Sequence, residues 1–465
     1  MLLKDKRVAF MASFRAFRAG RLDMLHGSVW DKLLIFVLPL AFAGMLQQLY
    51  NAADVMVLGR FEGETAMAAA GSSTPFVSLL VNLFLGLSLG ANVVTAQFLG
   101  AKKDESVRKA VNAAMGLAFA SGIFLLMLGE GVSELAVHIL EVPPEAESDA
   151  LMYLRVYLLG LPGIGLYNFT AAIYRSCGDT KTPLYALAIS SAMNVVLDIG
   201  AAYVGFGVAG VAAATTISMT VSALLLLAGL MRRTDSLRVR LSMMTLNREH
   251  TGRMIRIGMP AAVQGMVFSI SNLCVQSAIN SLGTDAMAAS AACFVIEANI
   301  CCFINGFAQG ATTFIGQNYG AGKLFQCRFI ARMTVLQSSC FVLMMSIAAY
   351  VSGEWLIGWF TESSDVISLG MVRLEYVAIP EVVNCVLETL SASLRGYGLS
   401  LPPALLALFG VCGVRLAWVY IAFPVFRDFA FLMLCYPISW VVTAMLILLA
   451  YEFFIRHLPN KAEVL

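Results

Sequence analysis

Charge is scarce in this chain of 465 residues: Asp, Glu, Lys and Arg make up 13% of it, about half the share an average soluble domain carries. That excludes one large soluble domain. Other absences narrow the chemistry. The ten cysteines include no C-x-x-C pair, and all lie in apolar stretches or at the basic ends of those stretches, so they read as small core residues with free thiols. The four histidines, His26, His138, His250 and His457, are scattered and form no metal set. No P-loop, zinc motif, nucleophile elbow or dinucleotide fingerprint is present, so no cofactor is expected and the chain does not read as an enzyme. No apolar core with a cleavage site precedes the first hydrophobic block, so the basic start does not read as a removable secretory signal. An interfacial helix and a partly disordered tail fit that start equally well.

Apolar residues supply 59% of the chain and come in blocks of roughly 20 with few charges, such as 208–231, 333–351 and 429–451, each long enough to cross about 30 Å of hydrocarbon as a helix. Lipid offers no partner to an unpaired backbone group, so helix is the expected form. The blocks do not alternate polar with apolar, which argues against an outer-membrane barrel. Twelve spans are expected, near 33–58, 66–98, 110–130, 150–174, 184–205, 208–231, 257–281, 286–315, 333–351, 371–394, 402–424 and 429–451. The fold class is therefore all-α: a polytopic membrane protein of twelve transmembrane helices in two pseudo-symmetric six-helix bundles.

Segregation of charge sets the orientation. Arg and Lys gather at alternate ends of the spans: Lys4, Lys6, Arg7, Arg15, Arg18 and Arg21 at the start, Lys102, Lys103, Arg108 and Lys109 after the second span, Arg232 to Arg256 in the central loop, and Lys323, Arg328 and Arg332 after the eighth. The opposite side keeps Arg60, Arg155, Arg373 and Arg427 and a run of acids from Glu130 to Asp149. By the positive-inside rule both termini are cytoplasmic, in a multi-pass plasma-membrane protein whose expected setting is a bacterial inner membrane.

The chain also matches itself at an offset of about 220. Gly63, Ala66 and Met67 recur as Gly283, Ala286 and Met287; Gly86 and Gly90 as Gly306 and Gly310; Gln97 and Gly100 as Gln317 and Gly320; Arg175, Gly178 and Pro183 as Arg395, Gly398 and Pro403. Six spans return the chain to its starting side, so the two copies are parallel repeats, an architecture that transporters use. The expected organisation is a basic cytoplasmic segment at 1–32, a first lobe at 33–231, a cytoplasmic linker at 232–256, a second lobe at 257–454 and a tail at 455–465. Pro39 and Pro260 occupy nearly equivalent places in spans one and seven, where each permits a kink.

Acids inside spans are rare and expensive, and usually have a task. Asp54 lies near the outward end of span one, and Asp198 at similar depth in span five. Asn194 is one turn from Asp198 on the same face, Gln47 and Asn51 share a face with Asp54, and Thr215 and Thr216 reach the same level from span six. Two acids sharing a site repel, so such a pair holds one proton or coordinates a hard cation; a structural hydrogen-bond network is the competing reading. Near the repeat offset the counterparts of Asp54 and Asp198 are Cys274 or Val275 and Trp418, so the acids are not duplicated. The second lobe carries other polar groups, among them Asn272, Gln276, Glu297, Glu388 and Arg415. Glu297 would attract an organic cation if it lines a cleft; equally, it would pair with Arg415 or an amide.

Pro39, Tyr50-Asn51-x-x-Asp54, Gly59, Ala96-Gln97-x-x-Gly100, Arg175-x-x-Gly178-Asp179-x-x-x-Pro183 and Asn194-x-x-x-Asp198 resemble the multidrug and toxic compound extrusion (MATE) transporters. The likeness covers about residues 30–455 and is similar to the DNA-damage-inducible branch. What the resemblance implies is a V-shaped pair of six-helix bundles exporting amphipathic organic cations against inward H⁺ or Na⁺. It assigns Asp54, Asn194, Asp198 and Thr216 to the cation site, with Na⁺ at the first three as one option and no other metal. Gln47, Asn51, Asn168, Asn272, Gln276, Glu297 and Glu388 become expected lining of a substrate cavity. The expected partners are small cationic or amphipathic molecules and membrane lipids, with no nucleic acid, and the expected unit is a monomer. A flippase for a lipid-linked or anionic precursor is the alternative.

Overall fold

The computed structural model describes residues 22–140, 142–244 and 246–457; most of the basic segment and the last residues of the tail lie outside this set. Among the described residues there is no β-strand. The helices are α1 (Val29–Val57), α2 (Glu64–Gly100), α3 (Asp104–Ile139), α4 (Pro144–Leu158), α5 (Leu161–Ser176), α6 (Lys181–Val204), α7 (Gly207–Met231), α8 (Arg248–Asn280) and α9 (Thr284–Gly320). They continue as α10 (Leu324–Val351), α11 (Gly353–Gly358), α12 (Ser364–Arg373), α13 (Glu381–Gly396), α14 (Leu401–Ala407), α15 (Val414–Ala417), α16 (Phe429–Met433) and α17 (Cys435–His457).

Among the described residues ten helical stretches are long and apolar enough to cross a membrane, and α4 with α5, bent by 45°, make an eleventh. The chain turns the corner between them at Leu159 and Gly160, just before Pro162, which is tolerated in the first turn of α5 where its missing N–H is no loss. Residues 364–396 match this bent pair at the repeat offset. They too are broken, by a π turn at Leu374–Ala378 and by Pro380, and they carry Asp365, Arg373, Glu375, Glu381, Glu388 and Arg395. Twelve spans therefore follow, one of them too polar to be recognised by hydropathy alone. Most helices outrun the expected spans because the chain stays helical past the hydrocarbon boundary.

The repeat is visible in backbone conformation. Gly63 and Gly283 start α2 and α9 with φ of 94° and 106°. With ψ near 180° this is a region that glycine alone enters readily. Gly178 and Gly398 follow α5 and α13 with φ of 87° and 90°. Lys102 and Gly322 share the left-handed turn after α2 and α9, with φ of 53° and 72°; only the second copy uses the residue that adopts it without strain.

The described chain forms two compact units, one of residues 22–23 and 42–262, the other of 24–41 and 263–457. Helices α1 and α8 are thus each divided, at Ala41/Phe42 and Ala262/Val263, two or three residues past Pro39 and Pro260. Paired glycines explain where the borrowed halves lie. Within the first unit, a Cβ on Gly86 would stand 2.4 Å from the Ala262 backbone, and one on Gly90 2.1 Å from the Met254 carbonyl oxygen. Within the other unit, Gly310 and Gly306 of α9 abut Leu33 and Val37 of α1 at 2.8 and 3.0 Å on the same reckoning. The Gly-x-x-x-Gly face lets two backbones approach as closely as membrane helices do.

Candidate functional site

Asp54 lies on the half of α1 that belongs to the unit of residues 42–262 and is 6% exposed. Helices α6 and α7 form a hairpin closed by Gly205, left-handed at φ 79°. That hairpin puts Asn194, Asp198 and Thr215 on surfaces facing Asp54. Asp198 and Asn194 are fully buried, and both lie close enough to the Asp54 carboxyl to interact with it, although neither meets it in a hydrogen bond. The structure therefore brings together three of the four residues expected at the cation site.

The fourth is corrected by one position. The hydroxyl that meets Asp54 is that of Thr215, whose Oγ1 lies 3.0 Å from Asp54 Oδ2 and 3.1 Å from the Val211 carbonyl oxygen. Thr216 turns away and donates to the Val156 carbonyl of α4 at 3.1 Å. Neighbouring helical residues point about 100° apart, so only one of the two can face α1. Thr215 has a single proton for two acceptors. When Asp54 is ionised the hydroxyl donates to it; when Asp54 is protonated the carboxylic acid donates to Oγ1 and the threonine proton turns to Val211. The contact is compatible with both states of the acid.

Few protein partners complete this site. Asp54 Oδ1, both Asp198 oxygens, both Asn194 amide atoms and the Tyr50 hydroxyl are buried with no hydrogen bond among the described residues. Buried polar groups are rarely left so. The oxygens offer a hard ligand set for a dehydrated monovalent cation, and the two carboxylates can instead share a proton. Beside them is a cavity of about 250 Å³ lined by Gln47, Tyr50, Asn51, Asp54, Asn82, Tyr153, Tyr157, Thr215 and Met219, among others. Tyr153 and Tyr157 stack one turn apart with centroids 6.2 Å from each other, and an aromatic wall attracts organic cations through the ring quadrupole. The tyrosines were legible as i,i+4 pairs, Tyr50 with Asp54 and Tyr153 with Tyr157, but nothing local says that α4 faces α1.

The other expected cavity residues are placed elsewhere. Asn168 is buried in α5 and donates to the Ile164 carbonyl at 2.9 Å. Asn272, Gln276, Glu297 and Glu388 belong to the other unit. Gln276 binds Asn280 at 2.9 Å, and Glu388 lies 3.8 Å from Arg395. Glu297 is held by Arg373 through two hydrogen bonds of 2.8 Å, both residues being buried. Its partner is thus neither Arg415 nor an amide. Arg373, expected on the outward surface, sits at the end of α12 and is neutralised there. Removing one member of such a pair costs about 3–5 kcal/mol, so Glu297 is not free to receive an organic cation. At the repeat offset Glu297 and Arg373 correspond to Val77 and Tyr153, two lining residues of the cavity in the first unit. In the second copy an ion pair occupies those positions.

Thr215→Val should raise the apparent affinity for H⁺ several-fold, since the lost hydrogen bond favours the ionised carboxyl (about 1.5–3 kcal/mol) more than the protonated one (about 0.5–1.5 kcal/mol). Thr216→Val should change it less than twofold. Half-saturating ion concentrations for dye efflux in vesicles distinguish the two; equal effects would contradict the assignment of Thr215.

Comparison with known proteins agrees with the duplicated architecture. The family model MatE matches the chain twice, at residues 39–199 and 260–421. The probable multidrug resistance protein YoeA of Bacillus subtilis is 23% identical over 435 residues, covering 92% of this chain and 94% of its own. The probable multidrug resistance protein NorM of Thermotoga maritima is 25% identical over 402 residues, 85% of this chain and 86% of its own. A crystal structure of MATE in complex with MaL6 shares the fold at a TM-score of 0.85 with 22% identity, over 94% of this chain and 99% of that one.

Proposed function

The chain belongs to the MatE family of membrane transporters, and from that premise we propose that it is a secondary antiporter exporting amphipathic organic cations in exchange for H⁺ or Na⁺. The observation that carries this reading is the meeting of Asp54 and Asp198, from α1 and α6, with their carboxylate oxygens largely unpartnered beside an aromatic-walled cavity. Two buried carboxylates with no basic partner among the described residues hold negative charge that some cation must offset. A proton or Na⁺ offsets it compactly. An organic cation in the neighbouring cavity, its charge over Tyr50, Tyr153 or Tyr157, offsets the same charge. Occupation by one weakens the attraction for the other, and that competition is the thermodynamic content of antiport.

The protein works as a monomer in the plasma membrane with both termini in the cytoplasm, the basic loops holding it in that orientation. Ion entry from outside reaches Asp54 first, the Thr215 proton turns, and the outer half of α1 shifts about Pro39. The relatives named as multidrug resistance proteins support a drug as the exported compound. Dye efflux in everted vesicles under separately imposed Na⁺ and pH gradients tests the reading. Efflux driven by at least one gradient is expected; a rate indifferent to both would refute antiport.

A further inference from the structure

Arg415 is a buried guanidinium in the unit of residues 24–41 and 263–457, 5% exposed, with no carboxylate in salt-bridge range among the described residues. Its Nε donates to Ser439 Oγ at 3.2 Å and its Nη1 to Asn272 Oδ1 at 2.8 Å. The charge lies 4.4 Å from the centroid of the Tyr436 ring and 5.7 Å from that of Trp440. No described residue accepts a hydrogen bond from Nη2. Asn272 is exposed, so the head of Arg415 lies just beneath the surface of its unit.

The local backbone is built around this side chain. The four-residue helix α15 that holds it lies between π turns at Leu408–Gly413 and Trp418–Ala422, and such turns collect at functional sites. Both oxygens of Glu297 go to Arg373; Glu381 Oε1 receives the Cys301 thiol while its Oε2 is buried without a partner among the described residues, and neither acid is in salt-bridge range of Arg415. Glu297 and Arg373 cancel, leaving Arg415 as a fixed positive charge held by neutral groups. Its position in the repeat is informative. Arg415 falls within one residue of the counterpart of Asn194, and Tyr436 within one residue of the counterpart of Thr215. The stretch that carries the anionic chamber in one copy carries a cation in the other.

We propose that Arg415 binds an anionic group, of carboxylate or phosphate type, on compounds that this protein exports. The proposal rests on the export reading and extends it, since zwitterionic amphiphiles join the substrates. An Arg fork with a free edge matches a planar carboxylate, and the rings of Tyr436 and Trp440 exclude water from the pair.

Rhodamine 110 and rhodamine 123 test this, being the free acid and the methyl ester of one dye. Fluorescence polarisation on the purified protein should show wild type binding the acid at least as tightly as the ester. Arg415→Gln should weaken the acid about tenfold and leave the ester within about twofold, with Arg415→Lys intermediate. Equal loss of both dyes, or no loss of either, overturns the proposal. Should Arg415→Gln fail to fold, wild type decides alone: benzoate should displace rhodamine 110 and not rhodamine 123, and equal displacement overturns the assignment. Competition by phosphatidylglycerol but not by benzoate would make a lipid the occupant and equally overturn it. Vesicle efflux of rhodamine 123 reads the export reading separately: its absence would sink export, whereas indifference to the carboxylate sinks only the anion site.

Discussion

Asp54→Asn is expected to reduce gradient-driven dye efflux by more than tenfold, to the level of vesicles lacking the protein, while the protein remains folded. Asparagine keeps the shape of aspartate and can still accept the Thr215 hydrogen bond, so the α1–α7 contact survives. What it cannot do is carry negative charge, and a chamber left with Asp198 alone loses the charge balance through which ion and substrate compete. Burying a neutral amide is less costly than burying an anion. The thermal midpoint should therefore hold steady or rise as efflux falls. That opposite movement separates a coupling residue from a structural one, because loss of a mere hydrogen-bond bridge would lower both. Parent-level efflux at equal protein abundance would sink the assignment.

Gly90→Ala should prevent correct assembly. The added Cβ would meet the Met254 carbonyl oxygen at 2.1 Å and the Gly258 amide nitrogen at 3.0 Å, both of them backbone atoms that no change of rotamer can move. Overpacking of this kind costs about 1–3 kcal/mol and occasionally more. Here the whole first half of α8 would have to withdraw from α2. Gly306→Ala should be milder, because the nearest atom it meets is Val37 Cγ1, a side-chain methyl at 3.0 Å, and the nearest backbone atom, the Val37 carbonyl oxygen, is 3.3 Å away. Gly131→Ala, with nothing within 4 Å, serves as the tolerated control. Size-exclusion profiles and thermal midpoints in detergent rank the three, and a Gly90→Ala protein as monodisperse and stable as the control would contradict the packing described.

Much of the architecture was legible in residue order because the signals are local or repeated. Lipid forces helix on any long apolar stretch, so the spans follow from hydropathy, and the one that hydropathy misses, at 364–396, is found by its match to 144–176. The pairing of Asp54 with Asp198 was readable because depth in a membrane can be counted along a helix from its ends. Rotation about the helix axis was harder to read: counting left Thr215 and Thr216 both open, the resemblance named Thr216, and the structure turns Thr215 to Asp54.

The sequence by itself determined the helical spans, the duplication and the common level of Asp54 and Asp198 along their helices, since all three depend on short-range periodicity and on the solvent the chain must meet. Only the tertiary structure decided which groups touch. It gave Glu297 to Arg373, left Arg415 without a counter-ion among the described residues, placed three tyrosines around Asp54, and assigned the first halves of α1 and α8 each to the unit built mainly by the other half of the chain. The reason is that charges and glycine faces choose partners by distance in space, and helices hundreds of residues apart in sequence are brought within a few ångströms only by packing.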